Sequence, residues 1–136
     1  MPSQTSIRIG SSENLAEIKA ISGWAIERRR LQIRLKQEDL ASRASITSRW
    51  IREIEGGNPK STLDDHLRCA AALDLSVGFL AIPMLYMERH AKIPRELLLP
   101  NLAVIEEQCI KAVSGHILDA LRHTMGSDPK SPDYKG

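Results

Sequence analysis

Apolar residues recur at spacings of three and four along the first part of the chain, which predicts amphipathic helices. A first short helix is predicted from about Glu13 to Ile21, with Ser12 as its N-cap. Ser22 is the next candidate cap and predicts a second helix that continues to about Leu35. The ten residues before these helices are polar and unpatterned, so we expect a loose arm there.

Two very short helices are predicted next, from Gln37 to Ala44 and from Ser48 to Glu55, with a break over residues 45–47. Their inward positions are apolar: Leu40, Ala41, Ala44, Ile51 and Ile54. The run Gly-Gly-Asn-Pro at 56–59 ends the second of them. Thr62 then caps a fourth helix, whose apolar positions at helical spacing are Leu63, Leu67, Ala70 and Leu73.

The pattern changes after residue 75. Ser76 to Ile82 fits either a strand or the start of a helix, and Pro83 argues against a long regular element there. Pro94 and Pro100 predict a linker, after which Asn101 can cap a long helix over about 102–124. One wide stripe of that helix comprises Leu102, Ile105, Cys109, Ala112, Val113, His116, Ile117, Ala120 and Leu121. Such a stripe needs a cover, either the domain itself or a second copy.

These elements predict an all-α protein with a compact unit of about five helices and a C-terminal helical extension. We expect an N-terminal arm and short helix over 1–22, and a helical domain over 23–75. A dimerisation or partner-binding extension follows over 76–125, and a disordered tail over 126–136. The composition agrees, because 42% of the residues are hydrophobic and only five are aromatic, which favours an aliphatic helical core.

Several classes of function are disfavoured by the composition. The longest uncharged stretch, 75–87, is too short to span a bilayer, and no secretory signal is recognisable at the N-terminus. Cys69 and Cys109 have no metal-ligand spacing and form no disulfide framework, and no nucleophile, base and orienting group occur together. We therefore expect a cytoplasmic protein, associated with the nucleoid through DNA, that is not an enzyme and binds no membrane, metal or cofactor.

Positive charge is concentrated in one segment. Residues 24–60 contain nine Lys and Arg against five acids, whereas the rest of the chain has a net charge of −2. A basic segment can be an electrostatic footprint for a polyanion, or simply the solvated face of a helix.

Within this segment, residues 36–57 have the spacing of two short helices joined by a three-residue turn, the geometry of a helix-turn-helix. Ala41 is small where the two helices must cross, and Thr47 can cap the second helix. Ser48, Arg49 and Arg52 then lie on its outer, N-terminal part.

The segment from about Ile26 to Leu75 resembles the helix-turn-helix family of phage lambdoid repressors and xenobiotic-response-element regulators. The resemblance includes an arginine seven residues before the glutamine that opens the second family helix, here Arg30 and Gln37. It continues through Leu40, Ala41, Ile51, Ile54, Glu55 and Gly57 into the fourth helix. Two positions depart from the family: Ser45 replaces the usual glycine of the turn, and Trp50 replaces a smaller Ser or Thr.

The resemblance implies a role for each matching residue. Gln37 would contact a phosphate or an outer base, and Ser48, Arg49 and Glu53 would face the bases, with Arg49 able to pair with guanine. Thr47, Arg52 and Lys60 would contact phosphates. Arg30 and Glu55 would form a structural ion pair beneath the recognition helix. Trp50 fits either packing against neighbouring helices or stacking on the DNA backbone.

The resemblance implies a transcriptional regulator, more specifically a repressor, that binds a palindromic operator in double-stranded DNA as a homodimer. The alternative is an antitoxin that regulates its own operon and binds a toxin protein, because residues 49–75 are similar to DNA-binding antitoxins. A ligand-responsive regulator is disfavoured, because about 60 residues after the helix-turn-helix leave little room for a separate sensor domain.

Overall fold

The computed structural model describes residues 11–92 and 94–127, and all regular structure in these residues is helical. The expectation of an all-α protein is confirmed. The helices are α1 (Ser12–Gln32), α2 (Gln37–Ala44), α3 (Ser48–Glu55), α4 (Leu63–Ala72), α5 (Gly78–Glu88) and α6 (Arg95–Ser127). The expected arm at 1–10 and residues 128–136 of the expected tail lie outside the described residues. The first two residues of that tail, Gly126 and Ser127, are not disordered but belong to α6.

Helix α1 is continuous where the sequence predicted two helices with a break at Ser22. Its N-cap is Ser11, whose hydroxyl accepts a hydrogen bond from the Asn14 amide at 3.2 Å. Ser22 and Gly23 lie in the helix interior and are buried. The Ser-Gly pair therefore marks a place where another part of the chain packs closely against α1, and does not mark a helix start.

Helices α2 and α3 have the predicted bounds and are joined by the tight turn at 45–47. Ser45 adopts the left-handed conformation that ends α2, with φ of 58°. The Ile46 amide donates to the Ala41 carbonyl at 3.0 Å, which satisfies one of the last carbonyls of the helix. Thr47 caps α3, since its hydroxyl accepts from the Trp50 amide at 3.1 Å. A serine thus adopts the conformation for which glycine is the usual residue.

Helix α4 begins at a capping box. The Thr62 hydroxyl accepts from the Asp65 amide, and the Asp65 carboxylate accepts from the Thr62 amide. The predicted apolar face is partly wrong, because Leu63 and Leu67 are exposed. The buried face of this part of the chain comprises His66, Cys69, Ala70 and Leu73.

The prolines do not divide the second half of the chain as predicted. The segment at 76–82 is helical from Gly78 onward, and α5 continues through Pro83, which is buried. Helix α6 begins at Arg95 and includes Pro100, so residues 95–100 of the expected linker are helical, whereas Pro94 lies outside the helix. Each proline removes one helical amide donor, at a cost of about 3 kcal/mol. Burial of apolar side chains beside it, including Phe79, Ile82 and Leu98, offsets that cost.

The chain divides into two compact units, residues 1–102 and 103–136. The first unit has an aliphatic core to which α1 to α5 and the first turns of α6 contribute, including Leu98 and Leu102. The structure thus groups α5 with the preceding helices, whereas the sequence placed it in an extension over 76–125. In the second unit, α6 has mainly exposed apolar side chains: Val104, Ile110, Val113, Ile117, Leu118, Leu121 and Met125.

Candidate nucleic-acid interface

Arg30 and Glu55 form an ion pair that joins α1 to the C-terminal end of α3. The Arg30 Nε and Nη2 atoms donate to the two Glu55 carboxylate oxygens at 2.7 and 3.0 Å, and Nη1 donates to the Leu35 carbonyl at 2.9 Å. The two side chains are only 9% and 4% exposed. The hydrogen bond to Glu55 raises the pKa of the Arg30 guanidinium above its ordinary value.

Gln37 extends this pair to the start of α2. Its side-chain Nε2 atom donates to Glu55 Oε1 at 2.9 Å, and the residue is half-buried. The Glu55 carboxylate therefore joins the C-terminal ends of α1 and α3 to the start of α2. Gln37 was expected to contact DNA, and in the structure its side-chain amide donates to Glu55.

Helix α1 crosses the end of α3 at very short range, which fixes the position of α3. A Cβ atom on Gly23 would collide with the carbonyl oxygen of Ile54 and lie 3.0 Å from that of Glu55. On the other side of the crossing, Gly57 has φ of +83°, and a Cβ there would lie 3.1 Å from the Ala20 Cα atom. Glycine at both positions lets the two backbones approach one another.

The outer surface of α3 contains four of the residues that the resemblance assigned to DNA. Arg49, Arg52 and Glu53 are exposed and Ser48 is half-buried, whereas Ile51 and Ile54 on the opposite side are fully buried. Because residues three and four apart share a helix face, the two arginines lie on adjacent turns of one surface. Because Ile51 and Ile54 pack into the core, the surface with the two arginines faces solvent.

Glu53 is tied to the loop after α3. Its Oε1 atom accepts from the Asn58 side-chain amide at 2.9 Å, and the Asn58 side-chain oxygen accepts from the Lys60 backbone amide at 2.8 Å. This arrangement orders the loop that carries the exposed Lys60 side chain next to the end of α3. Glu53, Asn58 and Lys60 therefore form one connected group.

Trp50 packs onto the start of α4. Its indole Nε1 donates to Asp65 Oδ2 at 2.9 Å, and the ring is half-buried. Burial acts to raise the pKa of Asp65, but hydrogen bonds from the Thr62 amide and the Trp50 indole outweigh it, so the pKa lies below its usual value. Of the two roles left open for Trp50, the structure displays the packing role. The large side chain joins α3 to the capping box of α4.

A buried histidine on α4, His66, contacts α1 and the loop that precedes α4. His66 is 1% exposed, with Ser22 Oγ 2.6 Å from its Nδ1 atom and Ser61 Oγ 2.8 Å from Nε2. Because the Ser61 hydroxyl donates to the Asn58 carbonyl, it must accept from His66, so Nε2 bears the proton and Nδ1 accepts from Ser22. Burial lowers the pKa of His66 to about 4, so the ring is neutral near pH 7.

The charges around this surface are mainly positive. Between residues 34 and 60, six basic side chains are exposed, Arg34, Lys36, Arg43, Arg49, Arg52 and Lys60, against three exposed acidic side chains, Glu38, Asp39 and Glu53. The internal Arg30–Glu55 pair neutralises itself, so the excess of four positive charges in residues 24–60 belongs to the remaining side chains. A surface of this sign attracts polyanions at ordinary salt concentrations.

Three further features of the described residues bear on other kinds of site. Residues 11–92 and 94–127 contain no group of three or more His, Cys, Asp and Glu side chains placed to hold a metal. No helix in those ranges combines the length and apolarity that crossing a membrane requires. Burial raises the pKa of the Cys69 thiol to about 12, which makes it a poor nucleophile.

Three contributors to this surface were not identified from the sequence: Gly23, Asn58 and Asp65. A glycine in the middle of a helical pattern is a signal of close backbone approach, and an Asp three residues after Thr62 is a signal of a capping box. Asn58 gave no comparable signal beyond being a turn residue, because its partner is set by tertiary packing.

Comparisons with protein families, curated protein sequences and solved structures find no match to this chain.

Proposed function

We propose that this protein is a sequence-specific regulator that binds double-stranded DNA through α2 and α3 and acts as a homodimeric repressor. The observation that carries the proposal is the outer surface of α3, where Arg49 and Arg52 are exposed on a helix fixed from behind by the Arg30–Glu55 pair. A rigid support matters because base contacts require side chains held within a fraction of an ångström of their targets.

In this proposal α3 enters the major groove as the recognition helix of a helix-turn-helix. Arg49 forms two hydrogen bonds with guanine, which discriminates against other bases by about 1–3 kcal/mol. Ser48 and Glu53 face neighbouring bases. Thr47, Arg52 and Lys60 contact phosphates and set the register, and Gln37 contacts a phosphate or outer base while it remains bonded to Glu55.

The salt dependence of binding to duplex DNA tests the electrostatic part of the proposal. Each neutralised phosphate contributes about −0.9 to the slope of log K against log salt. With several contacts per protomer, a dimer should give a slope steeper than about −3 on DNA from its own promoter. A flat salt response, or equal affinity for random duplex, would refute the proposal.

Alanine substitutions separate base contacts from phosphate contacts. Arg49→Ala should cost about 1–3 kcal/mol on the cognate site and little on random DNA. Arg52→Ala should weaken both and reduce the salt slope by about one. The matched control is Arg122→Ala, an exposed arginine outside residues 26–75, which should leave both affinities unchanged. If Arg52→Ala alone relaxed base preference, the assignment of the two residues would be reversed.

An antitoxin is the second candidate, favoured by the exposed apolar side chains of α6 between Val104 and Met125. A chain that represses its own operon through α3 could use this surface to bind a toxin. The neighbouring open reading frame discriminates the two candidates: its product, co-expressed with this chain, should co-purify in a fixed ratio if the chain is an antitoxin.

A further inference from the structure

A cavity of about 470 Å³ lies between the N-terminal half of α1 and the C-terminal half of α5, and its other wall comprises His90, Ala91, Lys92 and Arg95. All of these residues belong to the first unit. The volume lies within the range of about 300–1,000 Å³ that small-molecule sites occupy in proteins. The surface assigned to DNA does not include any of the lining residues.

The floor of the cavity is apolar. Ile21 and Pro83 are buried, and Met87 lies one turn beyond Pro83 on the same face of α5. Proline has no amide proton to offer a ligand, and methionine is flexible enough to adapt to an apolar body. A hydrocarbon chain or ring is therefore the chemical group that this floor accommodates.

The rim is basic. His90, Lys92 and Arg95 line it, against the single carboxylate of Glu17. The Arg95 guanidinium lies 5.6 Å from the centre of the Trp24 ring, a cation–π contact that holds it in place. Arginine and lysine are the side chains that pair with a carboxylate, and both line this rim.

We propose that this cavity binds a small amphipathic organic anion, with its apolar body on Ile21, Pro83 and Met87 and its carboxylate at Lys92 and Arg95. The sign of the rim selects an anion over an amine of the same shape. The apolar floor selects against phosphates and sugars, which have no hydrocarbon body to bury. This site needs no separate sensor domain, because the helices of the first unit themselves form its walls.

The test is calorimetric titration of the full chain with decanoate, without DNA or lipid vesicles, and with decylamine as the probe of opposite charge. Decanoate should bind with one site per chain and decylamine should bind at least tenfold more weakly. Equal binding of the two probes, or no binding of decanoate, would overturn the proposal. Because DNA is not present, this outcome is independent of whether the chain is a DNA-binding regulator.

Two variants locate the site. Met87→Trp fills the floor and should abolish decanoate binding, and circular dichroism checks that the variant is folded. Lys92→Glu reverses a charge at an exposed position and should weaken decanoate binding at least about fivefold. The control Lys111→Glu makes the same change at an exposed lysine outside the cavity and should leave binding unaltered. If Lys92→Glu and Lys111→Glu had the same effect, the anion would bind elsewhere or through net charge alone.

Discussion

The Arg30 side chain uses three of its nitrogen atoms to join Glu55 and the Leu35 carbonyl beneath the surface of α3. Removing either partner of such a pair leaves a buried charge without compensation, which costs about 3–5 kcal/mol. We expect Arg30→Ala and Glu55→Ala each to destabilise the protein by this amount. The double variant should lose much less than the sum, with an interaction energy of about 1–3 kcal/mol in denaturant titrations.

The exposed pair of Asp64 and Arg68 provides the matched control for that cycle. Its atoms are 2.9 Å apart, but the side chains are 70% and 51% exposed. An exposed pair one helical turn apart contributes at most about 0.5 kcal/mol. Additive losses at Arg30 and Glu55, like those expected at the exposed pair, would mean that the buried contact does not link the helices.

His66 makes the stability of the fold depend on pH. Its pKa is about 4 in the folded chain, because burial disfavours the charged ring, and about 6.5 in the unfolded chain. Between these values the unfolded state binds a proton that the folded state does not, so stability falls as pH decreases from about 6.5 to about 4. The loss attributable to this residue is up to about 3 kcal/mol.

Chemical denaturation of the native chain and of His66→Gln at several pH values measures this contribution. Glutamine cannot titrate, so the variant should be less stable at pH 7 but lose less stability on going to pH 4.5. His90→Gln, at an exposed position, is the control for the histidine-to-glutamine change itself. Parallel pH profiles for the native chain and His66→Gln would refute the assigned role.

At the scale of the helices, the sequence was informative where local chemistry determines the structure. The bounds of α2 and α3 followed from Thr47, the apolar positions and the Gly-Gly-Asn-Pro run, all of which act within a few residues. The continuity of α1 could not be predicted, because Ser22 is a typical N-cap residue and nothing near it in sequence shows that its hydroxyl instead contacts His66 on α4. Likewise, His66 replaces an apolar residue on α4 only because Ser22 and Ser61 satisfy both ring nitrogens.

The prolines illustrate the same limit. Pro83 and Pro100 predicted interruptions, yet both lie inside helices. A proline costs a helix a fixed amount, so whether the helix continues depends on how much apolar surface is buried nearby. The spacing of apolar residues along the sequence does not show how much apolar surface is buried beside each proline.

The crossing of α1 and α3 gives a prediction at this scale. Gly23→Ala places a methyl group against the backbone carbonyl of Ile54, which cannot move without displacing α3. We expect a loss of about 1–3 kcal/mol in the free energy of unfolding. The control is Gly115→Ala, since nothing lies within 4 Å of a Cβ atom there, and alanine favours a helix by about 0.5–1 kcal/mol over glycine. A Gly23→Ala variant as stable as the native chain would mean that the helices are less closely packed.

At the scale of the whole molecule, two compact units follow one another along the chain, and they differ in how much of their apolar surface is buried. The first unit buries an aliphatic core. Residues 103–127 of the second unit are helical and expose many apolar side chains, whose contact with water is unfavourable. Because a single recognition helix reads few base pairs, we expect this surface to serve the dimer that an operator with two half-sites requires.

Two valines on α6 test that expectation as a matched pair. Val113 and Val104 are 56% and 61% exposed, and at 100° per residue they lie on opposite sides of the helix. Val113 belongs to the wide stripe and Val104 does not. Val113→Glu would place two charges in a symmetric interface and remove two apolar contacts of about 1.5–3 kcal/mol each. We therefore expect dimer dissociation in sedimentation experiments to become at least about 100-fold more favourable, with weaker operator binding. Val104→Glu should leave the dimer intact. If both variants stayed dimeric, the interface would lie in the first unit, and the stripe would serve another partner.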